Sequence, residues 1–365
     1  MGFVSAQMAT LLDPTLPPRH GGAELQILRL AEEFGRDVRF RVHLMVDEIP
    51  QGTVPIPGVE LHRFPSPVQR GPGSVRALGN ILRWITAVKE MDCDWLVQMT
   101  GNPLTFHLVV ARLVLRKRMA FLLSTDADVD GALWAGSPKV RRQYLWARRR
   151  ADLTMAQHEG QREALRAVGI ESHILPSGFP IPPDSGCAER DIILWVASCQ
   201  PLKQPELFME LAQRYPRTRF VMITTPRVRS HFDETCARAA GVPNLTVIQG
   251  VPDLRPYYDR AIALVNTSTI EGFPNTFLEA AMSSTPVVSL NVDPGRMLSE
   301  AGAGIAGLGE FELVAEGIGR LIRDPGERAR RGAAARRYVV EKHDVKRTAG
   351  VLKRRILESD GPRCT

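Results

Sequence analysis

The chain runs to 365 residues, 44% of them hydrophobic and 24% charged, which exceeds what one hydrophobic core usually serves and excludes a disordered chain. Its formal net charge of +7 permits attraction to phosphate-rich partners, anionic lipid included. The cysteines, Cys93, Cys187, Cys199, Cys236 and Cys364, are scattered and never spaced as C-x-x-C, so neither a disulfide framework nor a cysteine zinc site is indicated and a reducing cytoplasm is the expected compartment.

Residues 1–14 lack the basic and long apolar regions of a signal peptide, and no stretch reaches the roughly 20 apolar residues of a membrane span. The nearest approach, 104–115, is interrupted by His107 and Arg112. Pro18-Arg19-His20-Gly21-Gly22-Ala23-Glu24 leads into Leu25, Ile27, Leu28, Leu30, Ala31 and Phe34, a glycine-rich loop feeding a helix, without the G-x-G-x-x-G fingerprint. Strand-like runs at 40–46, 59–64, 95–98 and 120–124 alternate with helical stretches such as 75–89 and 106–115. This alternation predicts βαβ units and a parallel sheet, whose ligands gather at the carboxyl ends of the strands. One such end carries Ser124-Thr125-Asp126-Ala127-Asp128-Val129-Asp130-Gly131. It opens like an EF-hand loop, but Ser137 stands where the closing Glu is needed, and no bidentate acid completes the cage. Residues 139–150 carry six cations around Val140, Tyr144, Leu145 and Ala147. An amphipathic helix there either faces the core with a solvated basic side or, with Arg116-Lys117-Arg118, rests on anionic lipid.

Residues 175–190, dense in Pro, Gly and Ser, read as an interdomain linker. Beyond it, 192–197 reads as a buried strand and 205–214 as a helix, which makes 198–204 a strand-to-helix loop from which Lys203 aims an ammonium at phosphate. Further strands are expected at 220–223 and 245–248, with a turn at 224–226 and a loop at 249–252. Apolar runs at 262–265 and 286–290 then flank the loop Glu271-Gly272-Phe273-Pro274-Asn275-Thr276 and a helix. Gly272 lets backbone approach a ligand, Pro274 suits a first helical turn, and the free N–H groups of that turn make an anion site. Glu271 flanks this site, while Glu279, about two turns into the helix, can face a neutral group such as a ribose diol. Helices are expected at 293–301 and 310–323, a basic helical stretch at 327–357, and a frayed tail at 359–365.

The E-x7-E spacing of Glu271 and Glu279, with GFPNTFLEAAMSSTPVVS between and after the acids, resembles the signature of glycosyltransferase family four. The resemblance implies an α/β chain of GT-B fold, two facing Rossmann-like domains with parallel sheets and an interdomain cleft. It places an acceptor-binding domain at 1–176, a linker at 177–190, a nucleotide-sugar domain at 191–340, and at 341–365 a terminal helix crossing back to the first domain. The implied activity is retaining, metal-independent transfer of a sugar from a nucleoside diphosphate sugar to a hydroxyl of a saccharide or lipid-linked acceptor. Cell-surface polysaccharide or glycolipid synthesis on the cytoplasmic face of a membrane would be its setting. No cofactor beyond the donor is implied, and nucleic acid is not an expected partner, since aromatic residues are 6% of the chain and do not interleave with the basic clusters.

Residue by residue, the resemblance assigns Glu271 to the sugar hydroxyls, Lys203 to the departing diphosphate, and Asp126 to the sugar or acceptor, with His20 as a further helper. Asp128 and Asp130 are left to cap or solvate their loop. Donor binding falls to Gly21, Gly22, Lys203, Thr224, Val251, Gly272, Phe273, Pro274, Asn275, Thr276 and Glu279, with the 249–252 backbone reading a base, uracil or guanine. One departure stands out: the family commonly has Gly-Arg at the strand end and Lys five residues after that Arg, whereas this chain has Ala197-Ser198 before Lys203. Arg227 and Arg255 are the nearest replacements for the absent cation. Two rival readings stand beside the transferase, a nucleotide-sugar epimerase and a degenerate sugar-nucleotide-binding protein, the latter suggested by Ser198.

Overall fold

A computed structural model of the chain describes residues 1–16, 22–67, 69, 72–101, 104–184, 186, 189–271 and 273–359. The calls on His20, Gly21 and Gly272, and the tail from 360, lie outside the described residues. The chain divides into two compact units, residues 1–180 with 344–365, and residues 181–343.

The first unit is built on seven strands, β1 (Gly2–Ser5), β2 (Val42–Val46), β3 (Val59–Arg63), β4 (Trp95–Met99), β5 (Arg118–Leu122), β6 (Leu153–Ala156) and β7 (His173–Ile174). They pair in the order β3-β2-β1-β4-β5-β6-β7, every ladder parallel. Four of them, β1, β2, β4 and β6, are buried at every position, as expected of a parallel sheet covered on both faces by its crossover helices. The helices Gly22–Gly35 and Val345–Ser359 close one face around Phe3, Phe34, Leu44 and Leu352, while Gly73–Glu90 and Thr105–Val114 close the other around Trp84, Leu108 and Phe121. The terminal helix buries Val345, Ala349, Leu352 and Ile356, a 3.6-residue stripe in which each large aliphatic side chain contributes roughly 1.5–3 kcal/mol. Lys353 fixes its rotation, donating to the Glu33 carbonyl at 2.8 Å and meeting the Asp37 carboxylate at 3.1 Å.

The second unit has six strands, β8 (Ile192–Cys199), β9 (Arg219–Pro226), β10 (Leu245–Gln249), β11 (Ala261–Asn266), β12 (Val287–Ser289) and β13 (Gly304–Ala306). Their order is β10-β9-β8-β11-β12-β13, again all parallel. From β8 the chain crosses one way to β9 and later the other way to β11, so the carboxyl ends of β8 and β11 flank a topological switch point, where doubly wound sheets bind ligands.

Two expected elements are corrected. The helix expected at 293–301 is only a 3-10 turn, Pro294–Arg296, containing Gly295 at φ 58°. Asp293 is the cause: its carboxylate accepts from the Leu298 and Ser299 amides at 2.7 and 3.1 Å, offering the backbone an alternative to helical bonding. The turn expected at 224–226 is strand, since β9 continues to Pro226 and pairs Thr224, Thr225 and Pro226 with Ala197, Ser198 and Cys199. The basic run from 327 is two helices, Pro325–His343 and Val345–Ser359, parted at Asp344, whose side chain accepts from the Lys346 amide at 2.8 Å.

Candidate functional site

The switch point of the second unit brings together residues far apart in sequence. After β8, the 3-10 turn Pro201–Lys203 carries Lys203; after β11, the segment 266–271 carries Glu271. The Lys203 ammonium lies 2.8 Å from Glu271 Oε2, with side chains 13% and 17% exposed. Glu271 Oε1 accepts from Asn266 Nδ2 at 2.8 Å and from the Ser268 hydroxyl at 2.6 Å. Asn266 is held in turn: its Oδ1 accepts from the Ser268 amide at 3.2 Å and from the Ser289 hydroxyl at 3.4 Å. The Lys203 turn is tied down separately, its carbonyl accepting from the Thr267 hydroxyl at 2.6 Å while Trp195 Nε1 donates to that hydroxyl oxygen at 2.9 Å. The result is a cation and a carboxylate held in one place by a chain of short hydrogen bonds.

The helix Asn275–Met282 starts beside this pair. Pro274 is its N-cap, with no side-chain cap and no acid in the first turn, which leaves its first amides and the positive end of its dipole to a ligand anion. Phe273 does not face outward as a lone aromatic: its ring packs on His343 with centroids 4.9 Å apart, and His343 stacks on Tyr338 at 5.6 Å. That stack anchors the loop from the side of the helix Pro325–His343.

Further along the helix, Glu279 Oε2 accepts from the Tyr258 hydroxyl at 2.8 Å. Burial, and then the facing Glu279 carboxylate, push the Tyr258 phenol well above its ordinary pKa. Both line a cavity of about 320 Å³ with Val251, Pro252, Arg255 and Met282, at the lower end of the range of about 300–1,000 Å³ for small-molecule pockets. Glu279 and Val251, both expected to hold the nucleoside, thus share one wall. Thr224 stands apart: it is 2% exposed within β9, and its carbonyl accepts from the Gly250 amide at 2.9 Å. A larger cavity of about 660 Å³ lies against the helix Pro325–His343, but two of its arginines serve the fold. Arg190 donates to the Ser283 and Ala261 carbonyls at 2.6 and 2.8 Å, and Arg336 to the Pro182 carbonyl at 2.7 Å.

In the first unit, Gly22 opens the helix Gly22–Gly35. Asp126 is 72% exposed, 3.3 Å from His158 Nε2, and accepts from Gln161 Nε2 at 3.1 Å. Of the two roles expected for Asp128, capping its loop or solvating it, the structure shows the first. It is 0% exposed and gathers the ends of β4 and β5, accepting from the amides of Gly101, Ser124 and Thr125 at 2.9, 2.9 and 3.0 Å and from the Thr100 hydroxyl at 3.0 Å. Gly101 is required there, because a Cβ would come 2.2 Å from the Tyr144 ring. Tyr144 and Arg148 donate to the Asp128 carbonyl at 2.7 and 3.2 Å, so Arg148, one of the six cations expected on a basic face, turns inward. Lys139, Arg141, Arg142, Arg149 and Arg150 remain exposed.

A family profile described as Glycosyl transferases group 1 matches residues 190–324. Among solved structures, HepE of Anabaena, in complex with UDP and glucose, is 16% identical over 98% of this chain and 100% of its own, with a TM-score of 0.73. A sucrose-phosphate synthase from Thermosynechococcus elongatus is 17% identical over 98% and 99% of the two chains, also at 0.73. A putative UDP-N-acetylglucosamine 2-epimerase from Listeria monocytogenes is 13% identical over 99% and 98%, at 0.64. No curated protein sequence matches the chain. The fold is GT-B: two α/β units of parallel strands flanked by helices, matched over their full length by glycosyltransferase structures.

Sequence reasoning passed over Asn266, Ser268 and Tyr258. A signal was present for the first two: Asn266-Thr267-Ser268 is an abrupt polar run at the carboxyl end of an apolar strand, where a doubly wound sheet keeps its ligands. Ser198, at the position of the expected arginine, accepts from Gln200 Nε2 at 3.0 Å and supplies no charge. Of the two replacements, Arg255 donates to the Pro183 carbonyl at 2.7 Å. Arg227 is exposed directly after β9, whose last residue, Pro226, pairs with Cys199 beside the Lys203 turn.

Proposed function

We propose that this chain is a retaining glycosyltransferase that moves a sugar from a uridine diphosphate donor to an acceptor hydroxyl without a metal ion. The observation that carries the reading is the alignment, along one helix, of the Lys203–Glu271 pair, an uncapped N-terminus and the cavity lined by Glu279 and Val251. These suit, in order, the transferred sugar, the diphosphate and the nucleoside. UDP rests on its presence in a similarly folded protein, and retention on the family resemblance.

In this account the donor diphosphate meets the amides of Asn275 and Thr276 and the Lys203 ammonium, with Arg227 as the second cation in place of the absent strand-end arginine. As the bond between the anomeric carbon and the phosphate oxygen breaks, these fixed positive groups stabilise the charge growing on the leaving oxygen. Glu271, pinned by Asn266 and Ser268, holds sugar hydroxyls and opposes the positive charge on the ring. The acceptor oxygen bonds to the anomeric carbon on the face the phosphate leaves, and its proton passes to the departing phosphate. Glu279 receives the ribose diol, and Tyr258 fixes its carboxylate. Asp126, with His158 beside it, is assigned to the acceptor side. The acceptor is a saccharide or lipid-linked saccharide of cell-surface synthesis, and the exposed cations of the helix Pro138–Arg148 and the residues after it meet an anionic membrane.

An epimerase reading has its own support in the Listeria structure. Incubation with UDP-sugars separates the two: a transferase moves the sugar to an added acceptor or to water, frees UDP and leaves the remaining donor unisomerised, whereas isomerised donor without UDP release would replace the transferase reading.

A further inference from the structure

Among the described residues, one group of His, Cys, Asp or Glu side chains brings three ligand atoms within 4.8 Å of one another: His43, Glu60 and His62. It lies in the first unit, and none of its members has a role in the proposed sugar transfer. The strands create it. β2 and β3 pair in parallel, with His43 opposite Glu60 and Met45 opposite His62; residues 43, 60 and 62 therefore share one face, adjacent rungs of the last ladder of the sheet.

The distances are those of a ligand set. His43 Nδ1 lies 2.9 Å from His62 Nε2 and 3.5 Å from Glu60 Oε2, and His62 Nε2 lies 3.7 Å from Glu60 Oε1. A tetrahedral ion with arms of about 2.0–2.1 Å needs ligand atoms about 3.3 Å apart; the two contacts to Glu60 end on different carboxylate oxygens, so the carboxylate must turn to offer one oxygen beside both imidazoles. One edge must open by a few tenths of an ångström, which side-chain rotation supplies. Access is graded: the His43 side chain is 1% exposed, that of His62 19% and that of Glu60 53%, so the triangle has a buried apex and a solvent side where water completes the coordination.

We propose that His43, Glu60 and His62 bind one divalent transition-metal ion of the zinc class, which fastens the edge strand β3 to β2. Two imidazole nitrogens and one carboxylate oxygen are the donor set of an open zinc site, too soft for magnesium or calcium. Without the ion, one of His43 Nδ1 and His62 Nε2 donates to the other; with it, both lone pairs face the ion, and the hydrogen between them leaves for another ring nitrogen or for solvent. Arg41 Nη2, 3.4 Å from Glu60 Oε2, is the cation the ion displaces.

The test is titration of chelator-treated full-length protein with zinc chloride by calorimetry, with cobalt(II) absorption as a second readout. One equivalent should bind at micromolar concentration or tighter, raise the melting temperature and give the intense visible bands of tetrahedral cobalt. His62→Ala and the more conservative His62→Gln and Glu60→Gln should each weaken binding by at least about 10–100-fold and abolish the melting shift, while His158→Ala leaves both unchanged. Absence of binding up to millimolar zinc, or equal binding by wild type and all three variants, overturns the proposal.

Discussion

Replacing Lys203 by methionine keeps the length of the side chain and removes the ammonium that faces Glu271 at 2.8 Å. A unit charge about 4 Å from a phosphate oxygen is worth up to roughly 4 kcal/mol at an effective dielectric of 20, before desolvation is subtracted. Removing one fixed donor to a developing oxyanion typically lowers turnover by about two to three decades, so the two figures agree. Lys203→Met should therefore cut UDP release from a UDP-sugar by about 100- to 1,000-fold. Arg227→Ala should lower it by at least about tenfold, and Arg255→Ala by less. The fold should survive, because Glu271 keeps Asn266 and Ser268 as donors, and the loss in stability should stay near 1–3 kcal/mol. Adding Glu271→Gln removes the unpaired charge and should restore part of that stability without restoring turnover. The assay is steady-state UDP release beside chemical denaturation. Turnover of Lys203→Met within threefold of wild type, in protein that still binds UDP, would refute the leaving-group role.

Three further outcomes follow from the geometry. Asp128→Ala strands the amides of Gly101, Ser124 and Thr125 in the interior, and at about 1–3 kcal/mol for each unmet donor it should destabilise the protein by 3 kcal/mol or more, in order-of-magnitude terms; a change below about 1 kcal/mol in urea unfolding would contradict its role as a hub. Acidification of chelator-treated protein should weaken the fold between about pH 6.5 and 4. There the unfolded chain protonates residue 43 while the folded His43, enclosed by His62, Glu60, Arg41 and the amino terminus, refuses the proton until about pH 4; the unfolded state binds more protons and stability falls with pH, by ~2–3 kcal/mol. His43→Leu should flatten that limb, and an unchanged slope would exclude the assignment. Arg142→Glu with Arg149→Glu should weaken binding to vesicles containing anionic lipid by at least about tenfold, each basic residue contributing about 1 kcal/mol at such a surface; binding indifferent to salt and to these changes would remove the membrane from the account.

Much of this architecture can be read from the chain. Buried parallel strands are continuous apolar runs, so 192–197 and 262–265 announce themselves, and Pro274 marks the start of the helix at 275–282, where it stands as the N-cap. What the sequence hides is adjacency. Lys203 and Glu271 meet because β8 and β11 are neighbours, a fact of strand order that no local pattern encodes; each reads separately as a phosphate ligand and a sugar ligand rather than as a pair. The choice between Asp126 and Asp128 is hidden for a different reason. The single turn Ala127–Asp130 decides which acid points inward, and alternate acids look equivalent until that turn is known. His43 and His62 lie in different strands and become neighbours only through the β2–β3 register. The 293–301 segment misleads because a side chain, Asp293, competes for amides that its periodicity assigns to a helix.

The most direct test of the central claim is calorimetric titration of the protein with UDP, GDP, ADP and CMP, in the presence and absence of magnesium. The account predicts that UDP binds best and without magnesium, and that Glu279→Ala weakens it about 10- to 100-fold by removing a charged hydrogen-bond acceptor for the ribose. Failure of every nucleoside diphosphate to bind, or UDP binding untouched by Glu279→Ala, would contradict it.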